Sequence, residues 1–157
     1  MISLFFRNLI FTILQPGIVI GLFPYFIAGE EFKIRWNLPF AFSQYAGLFF
    51  FILGWSLVLY CIYRFAVEGR GTLSPADQTK NLVAKGIYQY SRNPMYIGVM
   101  LALIGEVFFT KAASLMIYTG CVFTMFNLFI MFVEEPRLKR DFGEAYKLYC
   151  QKVRRWF

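Results

Sequence analysis

Residues 93–133 read NPMYIGVMLALIGEVFFTKAASLMIYTGCVFTMFNLFIMFV, 41 positions with only two charges, Glu106 and Lys111. A helix rises 1.5 Å per residue, so crossing about 30 Å of hydrocarbon takes about 20 apolar residues. The stretch is too long for one crossing and fits two, near 94–110 and 112–133. Lys111 leaves almost no loop between them, which predicts a tight helical hairpin. Upstream, 28 uncharged residues separate Arg35 from Arg64, and 22 separate Arg7 from Glu30. These predict two further spans near 43–64 and 8–28. The first is too long an apolar run for a signal peptide, and no A-x-A site follows it. Pro16-Gly17 at its middle removes a backbone bond and predicts a kink.

The whole chain agrees with this reading. Of its 157 residues, 59% are apolar and 16% charged, and the mean hydropathy is +0.54. A soluble domain carries about a quarter charged residues, and disorder needs low hydrophobicity and high charge. The expected fold is therefore an all-α integral membrane protein. It has about four transmembrane helices and a C-terminal amphipathic interfacial helix in a single membrane domain, 1–157. Residues 1–66 hold two N-terminal spans, and 67–157 hold a loop, the hairpin and the C-terminal helix.

Lys and Arg at the span ends set orientation. With four spans, one side receives 13 basic residues and the other only Lys33, Arg35 and Lys111. The bias places both termini and the 64–93 loop in the cytoplasm, and the compact size suits a bacterial inner membrane. The net charge of +7 is thus topological. No nucleic-acid partner is expected, because the basic residues flank spans rather than stripe a soluble face.

The chain has no His. That excludes Ser–His and Cys–His nucleophile pairs, a His base and His-ligated metals. Cys61, Cys121 and Cys150 are odd in number and far apart, so neither a disulfide framework nor a zinc site is expected. They read as buried small hydrophobes.

After the fourth span comes Glu134-Glu135-Pro136. Pro suits the first turn of a new helix, and Leu138, Phe142, Tyr146, Tyr149 and Val153 then recur on one face. This predicts a basic amphipathic helix on the inner membrane surface, ended by the interfacial pair Trp156 and Phe157.

Three features could carry chemistry. Glu106 is the one charge well inside a span. It is either a solvated acid near the outer end of a short helix or an acid facing a substrate cavity. Glu134-Glu135 either caps the helix beginning at Pro136 or binds a cationic group, since acids oppose the dipole of the helix they end. The third is the ordered string Leu82-Val83, Gly86-Ile87-Tyr88, Arg92-Asn93-Pro94-x-Tyr96-x-Gly98.

That string, with Glu134-Glu135 and then Phe142-Gly143-Glu144-x-Tyr146 and Tyr149, resembles the integral membrane methyltransferases. These are the class of isoprenylcysteine carboxyl methyltransferase and the phospholipid methyltransferases. The likeness covers about residues 69–157. It implies an enzyme that binds S-adenosylmethionine between the last two spans, the preceding loop and the C-terminal helix. It also implies a lipophilic small-molecule or lipid acceptor that arrives through the bilayer. Carried over by position, the cofactor contacts would be Lys80, Asn81, Leu82, Val83, Tyr88, Asn93, Pro94, Met95, Tyr96 and Glu134, with Arg92 and Glu135 as neighbours. Glu106 is the substrate-side candidate on its own account, as the charge inside a span, and not through the resemblance. The family commonly has His where Asn93 stands, so no step here uses that position as a base. The prenylcysteine enzymes place an Arg where Ile130 stands, which argues against a prenylcysteine carboxylate as substrate. Two other readings compete. One is a membrane reductase of sterol-reductase-like architecture, although Gly69-Arg70-Gly71 is no dinucleotide fingerprint. The other is a non-enzymatic small membrane subunit.

Overall fold

The computed structural model describes residues 15–64, 67 and 82–156. Lys80, Asn81 and the opening residues of the expected 8–28 span lie outside them. About 85% of the described residues are helical, and none is in a strand. The helices are α1 (Phe23–Trp36), α2 (Phe42–Arg64), α3 (Pro94–Thr110), α4 (Ala113–Phe129) and α5 (Glu135–Lys152). A π-turn, Ile18–Leu22, leads into α1, and a second, Ile130–Glu134, joins α4 to α5.

The two π-turns share a cause. In the first, the Phe23 N–H bonds to Ile18 O, and Pro24 follows. In the second, the Glu135 N–H bonds to Ile130 O, and Pro136 follows. A proline brings no donor, and its ring crowds the carbonyl four residues back. A widened turn immediately before it gives that ring room without ending the helix. The chain from Ala113 to Lys152 is therefore one continuous helical run. The expected C-terminal helix is present, with Pro136 in its first turn, but no break separates it from α4. The run is instead broken at Gly143, whose φ of 50° suits a residue without a side chain. Similarly, the kink expected at Pro16-Gly17 is taken up by the π-turn after it and by a non-helical backbone at Ala28 (φ −136°, ψ 26°).

Among the described residues, two helices are long and apolar enough to cross a membrane, Phe42–Arg64 and the run from Ala113; α3 is apolar but shorter. At 1.5 Å per residue its 17 residues reach roughly 25 Å. Both long helices leave most of their apolar length uncovered by protein. Phe42, Phe49 and Ile52 on α2 are exposed, as are Met116, Ile117 and Met125 on α4. Apolar surface this continuous suits lipid rather than water.

The turn between α3 and α4 is as tight as expected: Lys111 adopts the left-handed conformation (φ 59°), Ala112 is extended, and α4 begins at Ala113. Yet α3 packs chiefly against α2, and far less against its hairpin partner. Glycine explains the preference. A Cβ placed on Gly47 would stand 2.6 Å from Gly105 O, and one on Gly54 would stand 2.5 Å from Gly98 O. Two antiparallel helices thus touch backbone to backbone through glycines seven residues apart on each. In a membrane, where burial drives association weakly, such close approach is a main source of helix affinity. Ile20, Val58, Val99, Ala102 and Leu103 fill the adjoining core. Gln44 adds a polar clasp at the far end, its Nε2 donating to Phe109 O at 3.2 Å.

Candidate functional site

The site is built where α3 begins, α4 ends and the chain's final residues return. The segment 82–93 is anchored first. Val83 and Tyr88 are buried against Cys61 of α2, with Leu57, Ile87 and Met95 beside them. Tyr88 lies on a short 3₁₀ turn, Gly86–Gln89, where Gly86 has φ 63°. Burial raises the Tyr88 hydroxyl well above its ordinary pKa, so it stays protonated. The Tyr149 hydroxyl donates to Tyr88 O and ties α5 to this segment; burial pushes that phenol up to about 12.

Asn93 precedes α3, with Pro94 at its first turn, where a missing N–H costs nothing. Ser91 Oγ accepts from the Asn93 N–H at 3.1 Å and donates to Arg155 O at 3.2 Å. Asn93 Nδ2 also donates to Arg155 O, at 3.1 Å, and the Arg92 N–H donates to Arg154 O at 3.0 Å. Beyond Val153 the chain therefore turns back and lies across the start of α3. Trp156 completes the strap: its Nε1 donates to Asn127 Oδ1 at 3.3 Å, and its ring sits 5.6 Å from that of Phe123.

The two neighbouring acids face different partners. Glu134 Oε2 accepts the Tyr96 hydroxyl at 2.9 Å. The Tyr96 ring lies 4.7 Å from that of Phe126, so an aromatic face and a carboxylate adjoin. Glu135 instead sits between two guanidinium groups. Arg155 meets it in bidentate fashion at 2.9 and 3.1 Å, and Arg92 Nη1 reaches it at 3.2 Å. Arg92 Nη1 also contacts Cys150 Sγ at 2.8 Å and the Tyr146 hydroxyl at 3.4 Å. Glu135 and Arg92 are thus committed to holding α5, the strap and the loop together. Glu134 is the acid directed toward the start of α3.

The structure accordingly brings together Val83, Tyr88, Arg92, Asn93, Pro94, Met95, Tyr96, Glu134 and Glu135. Leu82 begins the described segment and is half-buried. Glu106 stands apart. It lies ten residues along α3 from Tyr96, roughly 15 Å at 1.5 Å per residue. Tyr149 belongs to the string that carries the family resemblance, whereas Ser91, Phe126 and Arg155 were given no role from the sequence. Arg155 had counted only as one charge of the basic tail, and nothing local shows that the tail folds back. The cysteines divide: Cys61 is buried, Cys121 is exposed, and Cys150 is half-buried against Arg92.

A family model of phospholipid methyltransferases matches residues 42–145, from the start of α2 to the middle of α5. The chain belongs to that family. The matched region contains Arg92 to Tyr96, Glu134 and Glu135, and stops short of the strap that holds them. No curated protein and no solved structure matches the chain. Phospholipid methyltransferases are enzymes that methylate lipids, so membership favours methyl transfer over the reductase and subunit readings. With the uncovered apolar helices, it makes this a membrane protein.

Proposed function

We propose that this protein transfers a methyl group from S-adenosylmethionine to a lipophilic acceptor at the cytoplasmic face of the membrane. The observation that carries the reading is the Tyr96–Glu134 bond, which joins the start of α3 to the end of α4 beside the ring of Phe126. A carboxylate next to an aromatic face suits a ligand with an ammonium, hydroxyls and a sulfonium. The donor set therefore fits the cofactor, which when bound supplies a methyl group already activated on a positive sulfur.

The chain's own residues bind and orient. Glu134 accepts hydrogen bonds from the cofactor's ammonium or hydroxyls, with Tyr96 fixing its rotamer. Leu82, Val83, Tyr88, Pro94 and Met95 serve as the cofactor's apolar contacts, and Lys80 and Asn81, outside the described residues, are assigned polar contacts by the resemblance alone. Arg92 and Glu135 hold the framework of these contacts. Asn93 keeps the strap in place through its amide, and it takes no proton. Methyl transfer is an in-line displacement, so holding acceptor and methyl aligned is itself worth about 7–11 kcal/mol.

The basic bias of 13 residues against 3 supports four crossings with the site in the cytoplasm. The acceptor then comes sideways from the bilayer. The test is transfer of labelled methyl from S-adenosylmethionine into the organic extract of reconstituted protein and lipid. Label in the lipid fraction supports the reading. Binding of nicotinamide dinucleotide without binding of S-adenosylmethionine overturns it in favour of a reductase.

A further inference from the structure

Glu106 takes no part in the proposed methyl-transfer site, yet its surroundings have the form of a binding site. The residue is buried, with 6% of its surface exposed. Among the described residues, no donor reaches Oε2. The nearby hydroxyls are used elsewhere: Thr110 Oγ1 donates to the backbone carbonyl of Glu106, and the Tyr118 hydroxyl donates to Val19 O. An acid left this way in an apolar interior is costly, and such residues in membrane helices mark sites of function.

Two cavities adjoin this carboxyl, one of about 180 Å³ and one of about 220 Å³. They share Phe32, Phe51 and Glu106, so the acid stands between them. Trp36 lines the first, and Tyr25 and Trp55 the second. Either alone is smaller than the roughly 300–1,000 Å³ of small-molecule sites, and joined they fall within that range. Tyr25 and Trp36, one on each cavity, are largely exposed.

We propose that the space between α1, α2 and α3 is a second ligand site, which takes the ammonium head of a lipophilic amine on Glu106 and its apolar body on Phe32 and Phe51. The chemistry selects that class. One carboxylate supplies the counter-charge, none of the described lining residues is cationic, and Trp, Tyr and Phe faces attract an ammonium. An alkane offers the carboxyl no partner, and a neutral alcohol offers a hydrogen bond without a counter-charge. An anion would be repelled. The site is about 15 Å along α3 from Tyr96. An amine held there receives no methyl, and the site is distinct from that of the methyl acceptor.

The probe is a brominated dodecylamine, read by quenching of tryptophan fluorescence in protein held in phosphatidylcholine nanodiscs. Trp36 and Trp55 line the two cavities, so a bound bromine quenches them directly. The expected result is saturable quenching that unlabelled dodecylamine reverses and that brominated dodecanol does not reproduce. In Glu106→Gln, affinity falls about tenfold or more, the loss expected for a charge-assisted contact. In Phe32→Leu it falls less, and in Glu134→Gln it is unchanged. Thermal unfolding of each variant shows that the fold is kept. Equal quenching by the alcohol, an unchanged affinity in Glu106→Gln, or a parallel loss in Glu134→Gln would overturn the proposal. Binding of S-adenosylmethionine, measured separately, is unaffected by Glu106→Gln, so failure here and failure of the methyltransferase reading are told apart.

Discussion

The Tyr96 hydroxyl donates to Glu134 at 2.9 Å across 38 positions of sequence, and it does so at the junction of α3 with the π-turn that ends α4. The widened turn ends at Glu134 and α5 begins at Glu135, and the two adjacent side chains leave the backbone toward different partners. One meets the start of α3 and the other the returning strap. Tyr96→Phe removes the hydroxyl and keeps the ring against Phe126. It is expected to weaken S-adenosylmethionine binding about three- to tenfold while shifting stability by less than about 1 kcal/mol, the scale of one hydrogen bond. Calorimetric titration and thermal unfolding of the same samples check both parts.

Glu135 is expected to behave in the opposite way. Its carboxylate is 12% exposed and compensates Arg92 and Arg155, and Arg155 is 31% exposed. Glu135→Gln leaves two guanidinium groups facing each other. It should cost about 2–3 kcal/mol, less than a fully buried pair would because Arg155 is partly solvated. The double variant Glu135→Gln with Arg155→Gln should recover part of the loss. A double variant no more stable than the single one would show that the pair is not the source.

The glycine seam predicts a steric failure. A Cβ on Gly54 meets backbone atoms of α3 at 2.5 Å, and backbone cannot swing aside. Gly54→Val should destabilise by about 1–3 kcal/mol or more. Gly120→Ala on α4, where a Cβ meets nothing within 4 Å, should be tolerated. Equal unfolding temperatures for the two variants would contradict a seam that holds α2 on α3.

Much of this arrangement was legible in the sequence because lipid imposes long apolar runs and tight turns. The hairpin at Lys111, the helix entered through Asn93-Pro94 and the placing of Glu134 beside the loop all follow from local signals. Gly98 stands in the motif string of the sequence. Its partner is not marked there, because the pairing of Gly54 with Gly98 and Gly47 with Gly105 joins residues on different helices. Pro136 marks the start of α5 correctly but gives no sign that α4 runs into it unbroken. A proline that normally begins or breaks a helix is absorbed here by a π-turn, and nothing in the sequence separates the two outcomes. The strap is non-local in the same sense: Arg155 meets Glu135 only because the chain reverses after Val153.

Asn93 tests the strap. Its Nδ2 donates to Arg155 O while Ser91 supports the same carbonyl. Asn93→Leu removes the donor and is expected to cost about 1–2 kcal/mol, the penalty for an unmet buried partner. It should also raise the rate of proteolysis at the C-terminus. Unchanged proteolysis would mean that Ser91 and Trp156 hold the strap without Asn93.

Topology has its own measurement. Single cysteines replacing Gln78 and Lys147, in a background without the native three, should react with an impermeant thiol reagent only from the cytoplasm. One replacing Lys33 should react only from outside. Labelling of the Lys33 and Gln78 positions from one face would contradict four crossings.

The central claim is that Glu134 holds the cofactor, and isothermal titration of S-adenosylmethionine into detergent-solubilised protein tests it most directly. Glu134→Gln keeps the size of the side chain and removes its charge. Glu144→Gln does the same on exposed α5, where Glu144 only pairs with Lys147 at 3.1 Å. The account predicts saturable binding by the parent protein, a loss of about tenfold or more in Glu134→Gln, as for a charge-assisted contact, and no change in Glu144→Gln. Equal affinities for the two variants would contradict it.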